Sequence, residues 1–280
     1  MREFKDKVAV ITGAAEGIGK AIATEAARRG MKLVLADINA KGLEQTAAEF
    51  VAGGTEVLAQ RTDVSDDAQV EALAEAAYAR FGAVHLLVNN AGVAVAKTAW
   101  ETTRKDWDWV MGVNFYGVTN GLHAFVPRML AGGEEGHIVN VASIAGMLSV
   151  PGMAAYNASK FAVVTVSEGM FHDLALRHAK LGVSVLCPGW VKTRIAEAER
   201  HRAPDERTNL AQLDPATLKT GLAVRQAVDA GIAPAAVAEM VFQAVEEGRF
   251  YILTHPHTRG GIKIRMEDIL QDRAPTLLPF

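Results

Sequence analysis

Lys7-Val8-Ala9-Val10-Ile11-Thr12-Gly13-Ala14-Ala15-Glu16-Gly17-Ile18-Gly19 stands near the start of the chain and decides its fold. Lys7 to Thr12 is a mainly apolar, β-branched run, the pattern of a strand buried on both faces. Glycines at 13, 17 and 19 end that strand, and Gly17 to Gly30 reads as a helix with Ile18, Ala21, Ile22 and Ala26 on one face. Glycine at such a turn lets the backbone bend sharply and lets a phosphate come close. The helix N-terminus behind it offers free N–H groups and the positive end of a dipole. The spacing is Gly-x-x-x-Gly-x-Gly rather than Gly-x-Gly-x-x-Gly, and taken alone it also suits an ordinary tight turn.

The rest of the chain repeats the strand-then-helix unit. Strands are predicted at 32–37, 56–62, 84–89, 136–142, 182–187 and 249–254. Between them helices are predicted at 40–52, 65–81 with Ser65 as cap, 105–130 with a bend near Pro127, 153–178 and 235–247. Alternating strands and helices mean βαβ units and a parallel sheet covered on both faces. The whole of 1–280 reads as one dinucleotide-binding and catalytic domain. The stretch 190–232 is a charged excursion without a clear strand, read as a substrate lid. Residues 255–280 form a C-terminal extension with one short helix from Gly260. Its apolar end suits either docking on a neighbouring subunit or fraying.

Bulk properties narrow the function. The chain has 280 residues, half of them hydrophobic, and a formal charge of −3, so no nucleic-acid or membrane field is implied. No apolar run approaches the roughly 20 residues of a membrane span. The charged start, Met1 to Lys7, does not resemble a signal peptide. The single cysteine, Cys187, excludes an internal disulfide and fits a reducing, cytoplasmic setting. His255-Pro256-His257 has no apparent third ligand, so no metal is expected.

Three strand ends sharpen the phosphate turn. Asp37 closes the second strand, where a carboxylate can accept both ribose hydroxyls of an adenosine. A 2′-phosphate would meet like charge there, with Glu16 adding a second negative group and Lys41 the only base close by. NAD is therefore favoured over NADP. Asp63 and Val64 end the third strand, either as an adenine contact or as a plain turn. Asn89-Asn90-Ala91-Gly92 ends the fourth, where small residues let the chain pass beneath a cofactor.

The second half carries a proton-transfer set. Tyr156 and Lys160 are four apart and share a helix face. An ammonium beside a phenol favours the phenolate and lowers its pKa from about 10. Tyr156 can then take a proton from an alcohol or return it to a ketone, while Lys160 can also hold the nicotinamide ribose. Ser143, just past the fifth strand, can steady negative charge on the substrate oxygen. Asn114 is placed to hold a water behind Lys160.

With these residues the chain resembles the short-chain dehydrogenase/reductase family, of the compact single-domain type, over residues 5–255. Thr12 to Gly19, Asp63-Val64, Asn89 to Gly92, Asn114, Ser143, Tyr156-Asn157-Ala158-Ser159-Lys160 and Pro188-Gly189 stand in family order. The resemblance implies a Rossmann-type, doubly wound, seven-stranded sheet. It implies the set Asn114, Ser143, Tyr156 and Lys160, with Val191 and Thr193 against the nicotinamide amide. It also implies 4-pro-S hydride transfer and a homodimer or homotetramer built on the two long helices. A finer similarity joins Phe115 to Gly121, Phe125 to Met129 and Ile195 to Ala198 to the Cα-dehydrogenases of lignin-type β-aryl ethers.

Substrate choice should lie on the loops past strands five and six. Ala145, Met147, Leu148, Val150, Met153, Trp190 and Ile195 make an apolar, bulky lining suited to a hydrophobic or aromatic secondary alcohol. Trp190 either walls the pocket or packs in the core. Lys192, Arg194 and Arg202 fall among acidic residues and read as part of a solvated lid. The function expected is NAD-dependent interconversion of such an alcohol and its ketone, with cofactor binding first. A 3-oxoacyl-thioester reductase using NADPH is the alternative, opposed by Asp37. A redox sensor that binds NAD(H) without turnover is another, opposed by the intact Ser/Tyr/Lys set.

Overall fold

The computed structural model describes residues 1–209, 211 and 213–278. Seven strands, β1 Val8–Thr12, β2 Lys32–Asp37, β3 Val57–Arg61, β4 Leu86–Asn89, β5 Gly136–Val141, β6 Leu181–Cys187 and β7 Tyr251–Leu253, form one sheet. Their order is β3-β2-β1-β4-β5-β6-β7, and every pairing is parallel. The order reverses between β1 and β4. In an open parallel sheet that is where a crevice opens at the carboxyl ends of the strands.

Both faces are covered, so the central strands carry little alternation: β1, β4 and β5 are buried along their whole lengths. One core layer joins α1 (Gly17–Arg28) and α8 (Pro234–Glu247) to the sheet through Ile22, Leu33, Leu35 and Phe242. The opposite layer uses α3 (Asp67–Phe81) and α5 (Gly117–Gly132), centred on Leu73 and Phe125. Helix α2 (Ala40–Ala52) flanks β2 and β3, and α6 (Ala154–Leu176) lies along β6.

Two local expectations are corrected, and the excursion gains an element. The cap of α3 is Asp66, whose Oδ1 accepts the Ala68 and Gln69 N–H groups; Ser65 instead donates to Asp63. The bend in the fourth helix lies at Gly112–Tyr116, a single wide π turn between α4 (Arg104–Met111) and α5, while Pro127 sits inside α5. The excursion carries a fifteen-residue helix, α7 (Pro215–Asp229), capped by Asp214 with Pro215 in its first turn.

The excursion also has a stem. Val191 pairs with Ile232, the Lys192 N–H donates to the Ile232 carbonyl and the Ile232 N–H to Trp190. Beyond β7, α9 (Thr258–Leu270) is longer than expected. The tail folds back on it through Thr276 N–H to Asp268 and Arg273 to Asp268. Pro279 and Phe280, on which the expectation of docking or fraying partly rested, lie outside the described residues. No helix among the described residues is long and apolar enough to cross a membrane.

Candidate active site

The phosphate turn is built by β1 and held by β4. Gly13 and Gly17 both have positive φ, +65° and +59°, a region that side chains with a Cβ adopt rarely. Gly19 serves close packing: a Cβ there would lie 2.1 Å from the Gly13 carbonyl oxygen. The Thr12 hydroxyl accepts the N–H groups of Asn90 (2.9 Å) and Ala91 (3.1 Å). The Asn90 side chain donates to the carbonyls of Thr12 and Gly13. Thr12 therefore organises the turn, a role the sequence pattern does not announce.

Asp37 stands at the end of β2 with both oxygens engaged by backbone. Oδ2 accepts from Ala15 N–H and Oδ1 from Asn39 N–H, each at 2.9 Å. Its carboxylate is thus fixed at the rim of the turn. Asp63 accepts the backbone and hydroxyl donors of Ser65, and Val64 accepts Asn120 through its carbonyl. Ile18, Asp63, Val64, Asn90, Ala91 and Gly92 all line the same cavity as Gly13, Gly17 and Asp37.

At the other end of that cavity stand Ser143, Tyr156 and Lys160. Ser143 leaves β5 in extended conformation and accepts the Ala145 N–H at 3.1 Å. Tyr156 and Lys160 come from the first two turns of α6. The Lys160 ammonium lies 5.6 Å from the Tyr156 ring centre and donates to the Val141 carbonyl at 2.9 Å. Burial holds Lys160 down to about 8. It holds the Tyr156 phenol above its ordinary value, with the Ser143 hydroxyl pulling the other way. The direction is opposite to the lowering expected from the ammonium: desolvation outweighs the Ser143 hydrogen bond. Burial likewise pushes the Cys187 thiol up to about 12, which leaves it a poor nucleophile.

Asn114 lies in the π turn and is fully buried. Its Oδ1 accepts the Val93 N–H, while Nδ2 donates to the Val93 carbonyl and to Ser159 Oγ. Both amide hydrogens are used, so the side chain clamps the loop after β4 to α6. One Oδ1 lone pair remains for the expected water. Ser159, which donates to the Tyr156 carbonyl at 2.7 Å, and Asn157, which bonds Val150 through both ends of its amide, stood in the sequence motif without a role of their own. Together they fix the start of α6.

Past β6, Pro188 accepts the Ile144 N–H and Gly189 donates to Thr254. Val191 and Thr193 also line the cavity, and Thr193 lies against Gly17. Of the expected substrate residues Ala145, Met153, Trp190 and Ile195 are in the wall. Met147 is not: it packs with Val164, Val185 and Cys187 in a core cluster, because the turn at Ile144–Gly146 aims it back at α6. Leu278 also contributes to the wall, so the described tail serves its own chain's cavity. The cavity measures about 820 Å³, a size usual for small-molecule and cofactor sites.

The excursion is less solvated than its composition suggests. Arg202 is buried, pairs with Asp106 at 2.7 Å and lies 4.8 Å from the Trp109 ring centre. Lys97 reaches the other oxygen of Asp106, also at 2.7 Å. His255 and His257 line the cavity. Among the described residues no group of three or more His, Cys, Asp or Glu could hold a metal.

The profile of the short chain dehydrogenase family matches residues 7–204. A "CLA biosynthesis dehydrogenase/reductase" of Lactiplantibacillus plantarum is 39% identical over 98% of this chain and 97% of its own. A "C alpha-dehydrogenase" of Sphingobium sp. is 35% identical over 98% and 89%. The crystal structure of a short chain dehydrogenase/reductase from Burkholderia phymatum in complex with NAD superposes with a TM-score of 0.96. It is 48% identical, and the match covers 100% of both chains.

Proposed function

The chain belongs to the short-chain dehydrogenase/reductase family and is an oxidoreductase of alcohols and ketones; from that premise we propose that it uses NAD to interconvert a bulky, hydrophobic or aromatic secondary alcohol and its ketone. What carries the proposal is convergence: Ser143, Tyr156 and Lys160 share one cavity with Gly13, Gly17 and Asp37. The turn fits a dinucleotide, since its positive-φ glycines leave backbone open to a phosphate. Asp37, held by two backbone donors, favours free ribose hydroxyls over a 2′-phosphate. When bound, the nicotinamide accepts or supplies the hydride.

The residues then divide the work on the substrate oxygen. In oxidation Tyr156 takes the hydroxyl proton; in reduction it returns one. Ser143 donates a hydrogen bond to the same oxygen and steadies its charge while the proton is in flight. Lys160 supplies the positive field that the buried phenolate needs, and its bond to Val141 keeps it in place. Asn114 holds the loop beside Lys160 and leaves an acceptor for a water that relays the proton outward. Trp109, Met153, Trp190 and Ile195 suit a bulky apolar group, in keeping with the relative named a C alpha-dehydrogenase. The excursion 190–232 acts as the lid over that group.

Tyr156→Phe removes the proton carrier and little volume. It should keep NADH affinity within about twofold and cut turnover by roughly 10²–10⁴. Wild-type turnover in this variant would remove Tyr156 from the role.

A further inference from the structure

The excursion brings positive charge to the phosphate turn. Glu16, directly before Gly17 at the cap of α1, is held by two arginines of residues 190–232. Arg200 pairs with its Oε1, and Arg194 reaches its Oε2 at 3.5 Å. Arg200 is braced from behind by donating to the carbonyls of Arg194 (2.9 Å) and Glu197 (3.1 Å). Arg194 also pairs with Glu197, which Arg225 meets in turn. Three cations, Arg194, Arg200 and Arg225, thus face two anions, Glu16 and Glu197, a net charge of +1 in the linked set. Glu16, Arg194 and Arg200 line the cavity together with Gly13, Gly17 and Asp37.

Resting on the dinucleotide reading above, we propose that Arg200, supported by Arg194, binds the 5′-diphosphate of the dinucleotide, with Glu16 holding both guanidinium groups at the turn. A lone carboxylate beside the turn would oppose a diphosphate. Two guanidinium groups that neutralise it reverse the sign. A guanidinium has five N–H donors, and Arg200 commits three to Glu16, Arg194 and Glu197. The 5′-diphosphate fits better than a 2′-phosphate, because the Asp37 carboxylate fixed nearby repels the latter. The same excursion carries Ile195 and Ala198 into the wall of the substrate end. Dinucleotide binding therefore steadies the surface against which the substrate must pack, which places the cofactor first in the binding order.

Titration calorimetry with 5′-ADP, 2′,5′-ADP, adenosine and NADH tests this on the wild type, Arg200→Gln, Arg200→Lys and Glu16→Gln. Arg200→Gln should weaken 5′-ADP and NADH by about tenfold, the loss of one charge-assisted contact, and leave adenosine unchanged. Arg200→Lys should recover part of the loss. Glu16→Gln should bind 5′-ADP at least as tightly as wild type, since it removes the anion that competes for both arginines. Equal 5′-ADP affinity in wild type and Arg200→Gln would overturn the proposal. So would a Glu16→Gln loss as large as that of Arg200→Gln, which would make the pair a simple latch. A loss only for 2′,5′-ADP would move Arg200 to the 2′ position and overturn it as well. Failure of the wild type to bind 5′-ADP or NADH would instead refute the dinucleotide reading itself.

Discussion

Burial disfavours the charged forms of both Tyr156 and Lys160. Burial raises the phenol and holds the ammonium down to about 8. Oxidation requires the phenolate, so kcat/KM for alcohol should climb as pH rises from 6 to 9. Reduction requires the protonated phenol, so kcat/KM for ketone should fall as the phenol loses its proton. Alcohol initial rates across that range read the rising limb, ketone rates should stay level until the pH nears the raised phenol, and a flat oxidation profile would contradict the assignment. The pair was legible in sequence because four residues on one helix must share a face. What spacing did not convey is which term sets the pKa, since desolvation depends on walls contributed by other elements. Met147 shows the same limit: it is apolar and near the site in sequence, yet the turn after Ser143 points it into the core.

Among the elements, the excursion's anchor was the least legible. Arg202 and Asp106 are separated by 96 residues, and Arg200 and Glu16 by 184. No local pattern announces such pairs, and charged residues in a loop look solvated until a partner is placed beneath them. The π turn at Gly112–Tyr116 was equally hidden: Gly112 opens it and Gly117 follows it, but a glycine inside a helical pattern does not by itself mark such a turn. Helix α7 could have been found: Asp214-Pro215 is a cap followed by a first-turn proline.

Asp106 carries the anchor's energetics. Burial alone would raise its carboxyl, but hydrogen bonds from Lys97, Arg202 and Thr103 prevail and hold it down to about 2. A carboxyl depressed on folding contributes stability that is present above its unfolded pKa of about 4 and lost as pH falls toward 2. The excursion should accordingly loosen between pH 4 and 2. Asp106→Asn at neutral pH leaves Lys97 buried without its counter-charge and Arg202 with only the longer pair to Glu199. It should lower unfolding stability by about 3 kcal/mol, with amide exchange accelerated first in 195–206. An unchanged denaturation midpoint would mean that the triad does not anchor the excursion.

At the scale of the whole molecule, one topological fact arranges everything else. The sheet reverses order between β1 and β4, so the phosphate turn and the loop after β4 open side by side. Strands β5 and β6 then extend the crevice toward Ser143 and Pro188. The alternation of strands and helices made this sheet readable, because the central strands β1, β4 and β5 are buried on both faces and read as apolar runs. The far walls were not readable, since Trp109, Ile264 and Leu278 reach the cavity from three distant segments. Those walls give the cavity its apolar, bulky character, and on the proposed reading Asp37 sets its cofactor preference. The most direct measurement is therefore initial rates with NAD and with NADP over graded secondary alcohols and their ketones, from 2-propanol to 1-arylpropanols. Turnover with NAD, rising in kcat/KM with the bulk of the aryl or alkyl group, is the result expected. Turnover confined to NADPH and 3-oxoacyl thioesters would contradict both the Asp37 assignment and the substrate class.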